Sequence, residues 1–213
     1  MVGSKQPSAV WLTPEQADRH CQAGASIWPF ASTDGGVDPD VVICGIGAEM
    51  TFEVIAAAAL LRKIVPELRV RVVNVTDLMV LGPHGSHPHA MTTEDFNAVF
   101  TEDKPIHFNY HGYPSELQGL LFHRPNLDRI TIEGYDEEGT TTTPFMMMVL
   151  NHTSRFHVAL AAVRGGSANP KVSVRRQQLL AGLGHAIKKA TVHLVVGKSA
   201  DFVGICFGTW KRY

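Results

Sequence analysis

Residues 41–81, VVICGIGAEMTFEVIAAAALLRKIVPELRVRVVNVTDLMVL, decide the fold. Val41, Val42, Ile43 and Cys44 form an apolar run without polar alternation, the pattern of a strand covered on both faces. Gly45-Ile46-Gly47 permits a tight turn, and Thr51 is placed to cap a helix. That helix carries Phe52, Ile55, Ala56, Ala59 and Leu60 at three- and four-residue spacing, and the alanines at 56–59 let it lie close to a sheet. Pro66 ends it, and Val70, Val72, Val73 and Val75 return the chain to the sheet. Strand, glycine turn, helix and strand make one right-handed β-α-β crossover, so a parallel sheet is predicted.

Working outward, residues 1–12 read as a linker, with Lys5-Gln6-Pro7 its one functional-looking piece. Thr13-Pro14-Glu15-Gln16 is a capping box, predicting a helix to about Ala23 that stops at Gly24. Ile27, Trp28 and Phe30 are expected on an outer face. Residues 32–39 form a polar loop. Beyond the crossover, Thr92 to Phe96 opens a short helix with Ala98 and Val99 on its apolar side. Ile106, Phe108 and Tyr110 alternate with His107, Asn109 and His111, predicting a strand with one face polar or near an edge. A helix follows at Pro114 with Leu117, Leu120 and Leu121 inward, then a strand over residues 129–135 and a loop of acids and hydroxyls over 136–142. Thr143-Pro144 caps the next helix, which breaks at 151–153 before a second piece over 154–163. Residues 165–170, GGSANP, read as a flexible hinge, and 171–189 as a basic surface helix buried along Leu179, Leu180, Leu183 and Ile187. The end of the chain is apolar without a clean period. This divides the chain into a linker (1–12), an α/β domain (13–165) and a hinge, helix and tail (166–213).

A chain of 213 residues with 45% hydrophobic and 18% charged content is that of a folded domain. A net charge of −1 gives no electrostatic reason to expect nucleic acid or an anionic membrane. Cys21, Cys44 and Cys206 show no paired spacing, which fits a reducing, cytoplasmic setting, and no apolar run approaches the length of a membrane span or a signal core.

Four places offer chemistry. Gly45-Ile46-Gly47-Ala48-Glu49 lies where a dinucleotide fold puts its phosphate turn, but it lacks a third glycine, and Glu49 opposes an anion; a structural turn is the simpler reading. His84, His87 and His89 crowd one loop with residue types that suit zinc, yet no cysteine is near, so a hydrogen-bonded loop stands beside the metal reading. His107, His111 and Tyr113 gather toward a strand end, either as a ligand site or as interface residues. Thr140 and Thr143 belong to a run of four threonines before a helix start, where hydroxyls and free amides hold an anion or simply cap the helix. A P-loop, a nucleophile elbow, a C-x-x-C pair and a Gly-Asp-Gly metal–diphosphate motif are all missing from the sequence.

The strings KQPSAVWLTPEQADRHCQAGASIW (5–28), DPDVVICGIGAEMTFEVIAAAALLRK (38–63), ELRVRVVNVTDLMVL (67–81), DKPIHFNYHGYP (103–114) and EGYDEEGTTTTPF (133–145) closely resemble the C-terminal domain of phosphoketolase, and LGPHGSHPHA (81–90) looks most like its fungal members. The resemblance implies a three-layer α/β sandwich like the third domain of transketolase, with a mostly parallel, about five-stranded sheet and one antiparallel edge strand. It also implies a larger enzyme that converts xylulose 5-phosphate or fructose 6-phosphate and inorganic phosphate to acetyl phosphate and an aldose phosphate. That chemistry belongs to thiamine diphosphate with Mg2+, held between N-terminal domains of paired subunits. No catalytic residue, metal or cofactor is then expected in the isolated chain, whose role is to stabilise a dimer or higher oligomer. Lys5 matches the lysine of the family's Lys-Gln-Pro linker, which implies a contact to the substrate phosphate. Two departures stand out: Met146 replaces the family's usual aspartate after Thr-Thr-Pro-Phe, and the tail after Ala190 is unlike the family's acidic end. The competing reading is a regulatory module that binds a nucleotide or phosphorylated metabolite at the strand ends.

Overall fold

The computed structural model describes residues 9–136 and 142–195. The predicted crossover is its centre: strand β2 (Val41–Ile46), helix α2 (Ala48–Ile64) and strand β3 (Val70–Val75), with β2 and β3 parallel from Val41↔Val70 to Ile46↔Val75. Both strands are buried at every position, as their unbroken apolar runs require. The helix starts earlier than expected. Gly47 is its N-cap, and Thr51 is turned into the core, where its Oγ1 accepts a hydrogen bond from Asn74 Nδ2 at 2.8 Å. Its buried residues are Met50, Thr51, Glu53, Val54, Ile55, Ala57, Ala58 and Leu61, which matches the predicted stripe only at Ile55. The reason is that α2 lies between the sheet and another helix, so it is covered on most of its circumference.

Three further strands complete the sheet: β1 (Ala25–Ile27), β4 (Ile106–Tyr110) and β5 (Ile130–Gly134), in the order β1-β3-β2-β4-β5. Among the described residues only the β1–β3 pair is antiparallel; β2–β4 and β4–β5 are parallel. This is the mixed five-stranded sheet with one antiparallel edge strand that the resemblance implied. Strand β1 follows directly on helix α1 (Pro14–Ala23), whose capping box is formed as predicted and whose cap, Gly24, turns the chain at φ 70°. Strand β4 is an inner strand, buried throughout, so its polar alternation does not mark an edge. Its polar side instead faces hydrogen-bond partners from later in the chain: Asn109 Nδ2 donates to the Thr153 carbonyl at 3.0 Å.

Helices cover both faces. Beneath one lie α3 (Thr93–Phe100) and α4 (Pro114–Leu121), and Cys44, Phe96, Phe100, Phe108, Leu117 and Leu121 share that core. On α3 the fully buried residues are Phe96 and Phe100, stacked at 4.6 Å; Val99 packs beside them as expected, and Ala98 is exposed. Over the other face lie α2, α6 (Arg155–Gly165) and α7 (Pro170–Val195), whose Val172, Leu179 and Leu183 join Ile43, Val72, Leu61 and Val158 in one cluster. Trp28 is buried in this cluster too, not on an outer face, and it is Phe30 that is exposed, stacked on Trp11 at 6.4 Å. The short α5 (Pro144–Leu150) packs Met147 and Met148 against Met50 and Tyr135.

The predicted flexible hinge is a packed corner. A 3-10 turn occupies Gly166–Ala168, Gly166 is buried, and a Cβ there would lie 2.3 Å from Leu68 Cδ1. Asn169 Nδ2 ties the corner to Asp40 Oδ2 (2.9 Å) and the Glu67 carbonyl (3.1 Å). These glycines allow close approach rather than freedom, and α7 therefore belongs to the same core as residues 13–165.

Candidate functional site

The C-terminal ends of β2, β4 and β5 meet at one corner, the place where open parallel sheets present ligands. Two glycines shape it. A Cβ on Gly45 would sit 2.6 Å from Thr51 Cα, and Gly47, at φ 93°, would put one 2.5 Å from His111 Cβ. The turn is thus built to let His111 lie directly against the backbone. The His111 amide donates to the Ile46 carbonyl at 2.9 Å, and its Nδ1 lies 3.0 Å from Glu49 Oε2. Its ring meets Tyr135 edge-on at 5.0 Å. Tyr135 in turn packs with Met50, Met147, Met148 and Phe145.

The predicted site residues therefore separate. His111 and Tyr113 share the corner, and Tyr113 is 55% exposed at the start of α4. Thr143 caps α5, its Oγ1 accepting the Met146 amide at 3.2 Å. His107 stands four residues earlier on β4, about 13 Å away along a strand, and is buried. Its Nδ1 lies 3.0 Å from Thr131 Oγ1, and burial together with nearby His157 pushes it down to about 4. Lys5 and Thr140 lie outside the described residues.

The corner does not fit thiamine diphosphate or its metal. A diphosphate at the α2 N-terminus would meet the Glu49 carboxylate and the ring of His111, which already covers Gly47. Among the described residues, no group of three His, Cys, Asp or Glu side chains is placed to hold a metal ion. In the histidine loop, His89 Nδ1 pairs with Asp77 Oδ2 at 2.6 Å, and the His89 amide donates to His87 Nδ1 at 3.1 Å. Arg124 grips the same loop from within, donating to the carbonyls of Val80, Leu81, Gly82, Met91 and Thr92 while lying 4.4 Å above the Phe96 ring.

Sequence reasoning missed the buried polar links around the corner. Glu53 and Arg155 form an ion pair, with Arg155 Nη2 2.6 Å from Glu53 Oε1, and their side chains are only 3% and 10% exposed. The signal was Glu53 in the middle of an alanine-rich apolar helix, whose other acid, Glu49, sits in the first turn. A second link runs from Thr51 through Asn74 to His20 and Ser26. Asn74 Nδ2 donates to Thr51 Oγ1 and the Gly45 carbonyl, so its Oδ1 receives His20 Nε2–H at 2.7 Å, and His20 Nδ1 accepts from Ser26 Oγ at 2.6 Å.

A family model described as the XFP C-terminal domain matches residues 5–205. The chain belongs to that family. Among proteins similar to this XFP C-terminal domain, a probable phosphoketolase of Schizosaccharomyces pombe is 55% identical over 181 residues, which is 85% of this chain and 22% of that protein. Probable phosphoketolase 1 of Rhizobium meliloti is 52% identical over 158 residues, or 74% of this chain and 20% of that one. The chain thus spans about a fifth of the length of these relatives. Among solved structures, the transketolase from Leishmania mexicana aligns at TM-score 0.49 and 19% identity, over 71% of this chain and 19% of that one. An inactive β4 tetramer of a split-gene transketolase aligns at TM-score 0.44 and 14% identity, over 69% of this chain and 43% of that one.

Proposed function

We propose that this XFP C-terminal domain is the non-catalytic, architectural part of a thiamine-diphosphate-dependent phosphoketolase acting on xylulose 5-phosphate or fructose 6-phosphate. The observation that carries the reading is the identity of 52–55% to proteins named phosphoketolase that are about five times longer than the matched region. The cofactor, its Mg2+ and the reacting sugar belong to the preceding domains of the same enzyme, and the misfit of the strand-end corner to a diphosphate agrees with that assignment. In this reading the domain packs against those domains and supports a homo-oligomer in the cytoplasm. Among the described residues, no helix is long and apolar enough to cross a membrane. Lys5, in the linker, reaches the substrate phosphate.

Two measurements test the proposal. The purified chain, given xylulose 5-phosphate, phosphate, thiamine diphosphate and Mg2+, forms no acetyl phosphate in a hydroxamate assay; turnover by the chain alone overturns the non-catalytic role. A chimera of the Schizosaccharomyces pombe protein, with its matching segment replaced by this chain, retains activity and loses most of it on Lys5→Ala. A folded, oligomeric chimera without activity overturns the assignment to that enzyme.

A further inference from the structure

Apolar side chains stand at the surface where the chain enters the domain. Val10 is 89% exposed and Phe30 is 47% exposed. Trp11, partly buried, stacks its ring on Phe30 at 6.4 Å with the planes only 11° apart. What lies beneath this pair is firm. Trp11 also meets Phe52 at 5.7 Å, and Phe30 meets the buried Trp28 at 5.3 Å, so both rings rest on the core cluster that α2, α6 and α7 share. The turn that presents Phe30 is pinned as well. The Ala31 and Ser32 amides both donate to the Trp28 carbonyl at 3.1 Å, and Ser32 Oγ adds a third bond to it at 2.9 Å. Arg62 Nη2 donates to the Ala31 carbonyl at 3.2 Å. A large exposed ring on a fixed turn has little conformational freedom left to lose when something covers it, which is the property of a binding anchor.

The occupant follows from where the rest of the enzyme attaches. The matching family model describes a C-terminal domain, and the relatives named phosphoketolase extend for about four-fifths of their length beyond the matched segment. On the function proposed above, those preceding domains join this chain on its N-terminal side. Val10 is then no more than about 30 Å of fully extended chain from residue 1. A tether that short keeps its two ends at a millimolar effective concentration, so a contact with an intrinsic Kd of about 1 mM is enough to dock. Resting on that reading, we propose that Val10, Trp11 and Phe30 are the anchor by which this domain docks into an apolar pocket of the preceding domain of the same enzyme.

Hydrogen exchange on the isolated 213-residue chain and on the Schizosaccharomyces pombe chimera tests this. Amides of residues 10–12 and 30–32 exchange more slowly in the chimera by about tenfold or more. Val10→Asp leaves the Tm of the isolated chain unchanged but abolishes the extra protection in the chimera, and Phe30→Asp abolishes it too. An active chimera whose exchange at these residues matches the isolated chain overturns the docking proposal and leaves the enzyme assignment standing. Equal protection in the isolated chain overturns it as well: slowing that grows with concentration assigns the patch to a second copy, and slowing independent of concentration assigns it to the chain's own termini. A folded chimera without activity removes the enzyme assignment, and the docking proposal falls with it. The same comparison in a chimera of the Rhizobium meliloti protein decides the matter where the first chimera does not fold.

Discussion

The Glu53–Arg155 pair joins α2 to α6 across 102 residues of chain, and its removal is the most informative perturbation of this domain. Glu53 Oε2 accepts the Arg155 amide (2.6 Å) and Nε (3.0 Å), while Oε1 accepts Nη2 (2.6 Å). Arg155→Met keeps the aliphatic stem but deletes the cation that lies 5.9 Å from Phe52 and 5.8 Å from Phe145. Two of the three bonds to the carboxylate are lost, and a charge is stranded in the interior. Breaking one side of a buried pair costs about 3–5 kcal/mol. For a domain of this size that lowers Tm by about 6–20 °C. Glu53→Leu removes the carboxylate from the guanidinium instead and falls in the same range. The double variant Glu53→Leu/Arg155→Met removes both members of the pair together, so it is more stable than the sum of the single variants predicts, with a coupling energy of about 2 kcal/mol or more. Urea unfolding followed by near-UV circular dichroism gives all four corners of the cycle. Single variants within about 1 kcal/mol of the parent, or a strictly additive double variant, would refute the reasoning.

Three further outcomes are expected. His107 is held at about 4 against an ordinary 6.5, so the unfolded chain binds a proton in that window that the folded chain refuses. Its contribution is complete above about pH 6.5 and fades toward pH 4, by about 2 kcal/mol between pH 7.5 and pH 5. His107→Gln flattens that part of the stability–pH curve, and an unchanged slope counts against the assignment. Gly47→Ala, at φ 93° and against His111, destabilises by about 2–3 kcal/mol in thermal unfolding; an unchanged Tm contradicts the close-approach reading. Arg124→Met removes the donor that binds five carbonyls around the histidine loop, costing about 2–4 kcal/mol and speeding amide exchange across residues 82–92. Uniform exchange across parent and variant argues against that anchoring role.

The centre of the fold was legible because β2 and β3 are buried on both faces and their residues say so without help from elsewhere. The three-residue β1 carries no pattern of its own; Ala25, Ser26 and Ile27 become a strand only because β3 offers them an edge. Polar alternation in β4 misled for a related reason. Asn109 is answered by Thr153 and Met50, partners 44 and 59 residues away, which no local window contains. Gly165 and Gly166 looked like freedom because glycine serves both flexibility and close packing, and only the position of Leu68 and Pro105 distinguishes the two. At the candidate site the Thr143 cap was readable from a local rule. The His111–Glu49 pair was not, since it spans 62 residues.

The lateness of α7 in the chain bears on how the molecule comes into being. All five strands of the described residues have been made once Gly134 has been synthesised, but the apolar cluster over the sheet's upper face still waits for Val158, Ala162, Val172, Leu179 and Leu183. A nascent chain halted before α7 therefore carries a finished sheet under an open greasy roof, a form prone to association rather than to rest. Synthesis through at least residue 183 is the step that turns it into a self-contained body, and a quality-control factor that recognises exposed aliphatic surface has that interval in which to act.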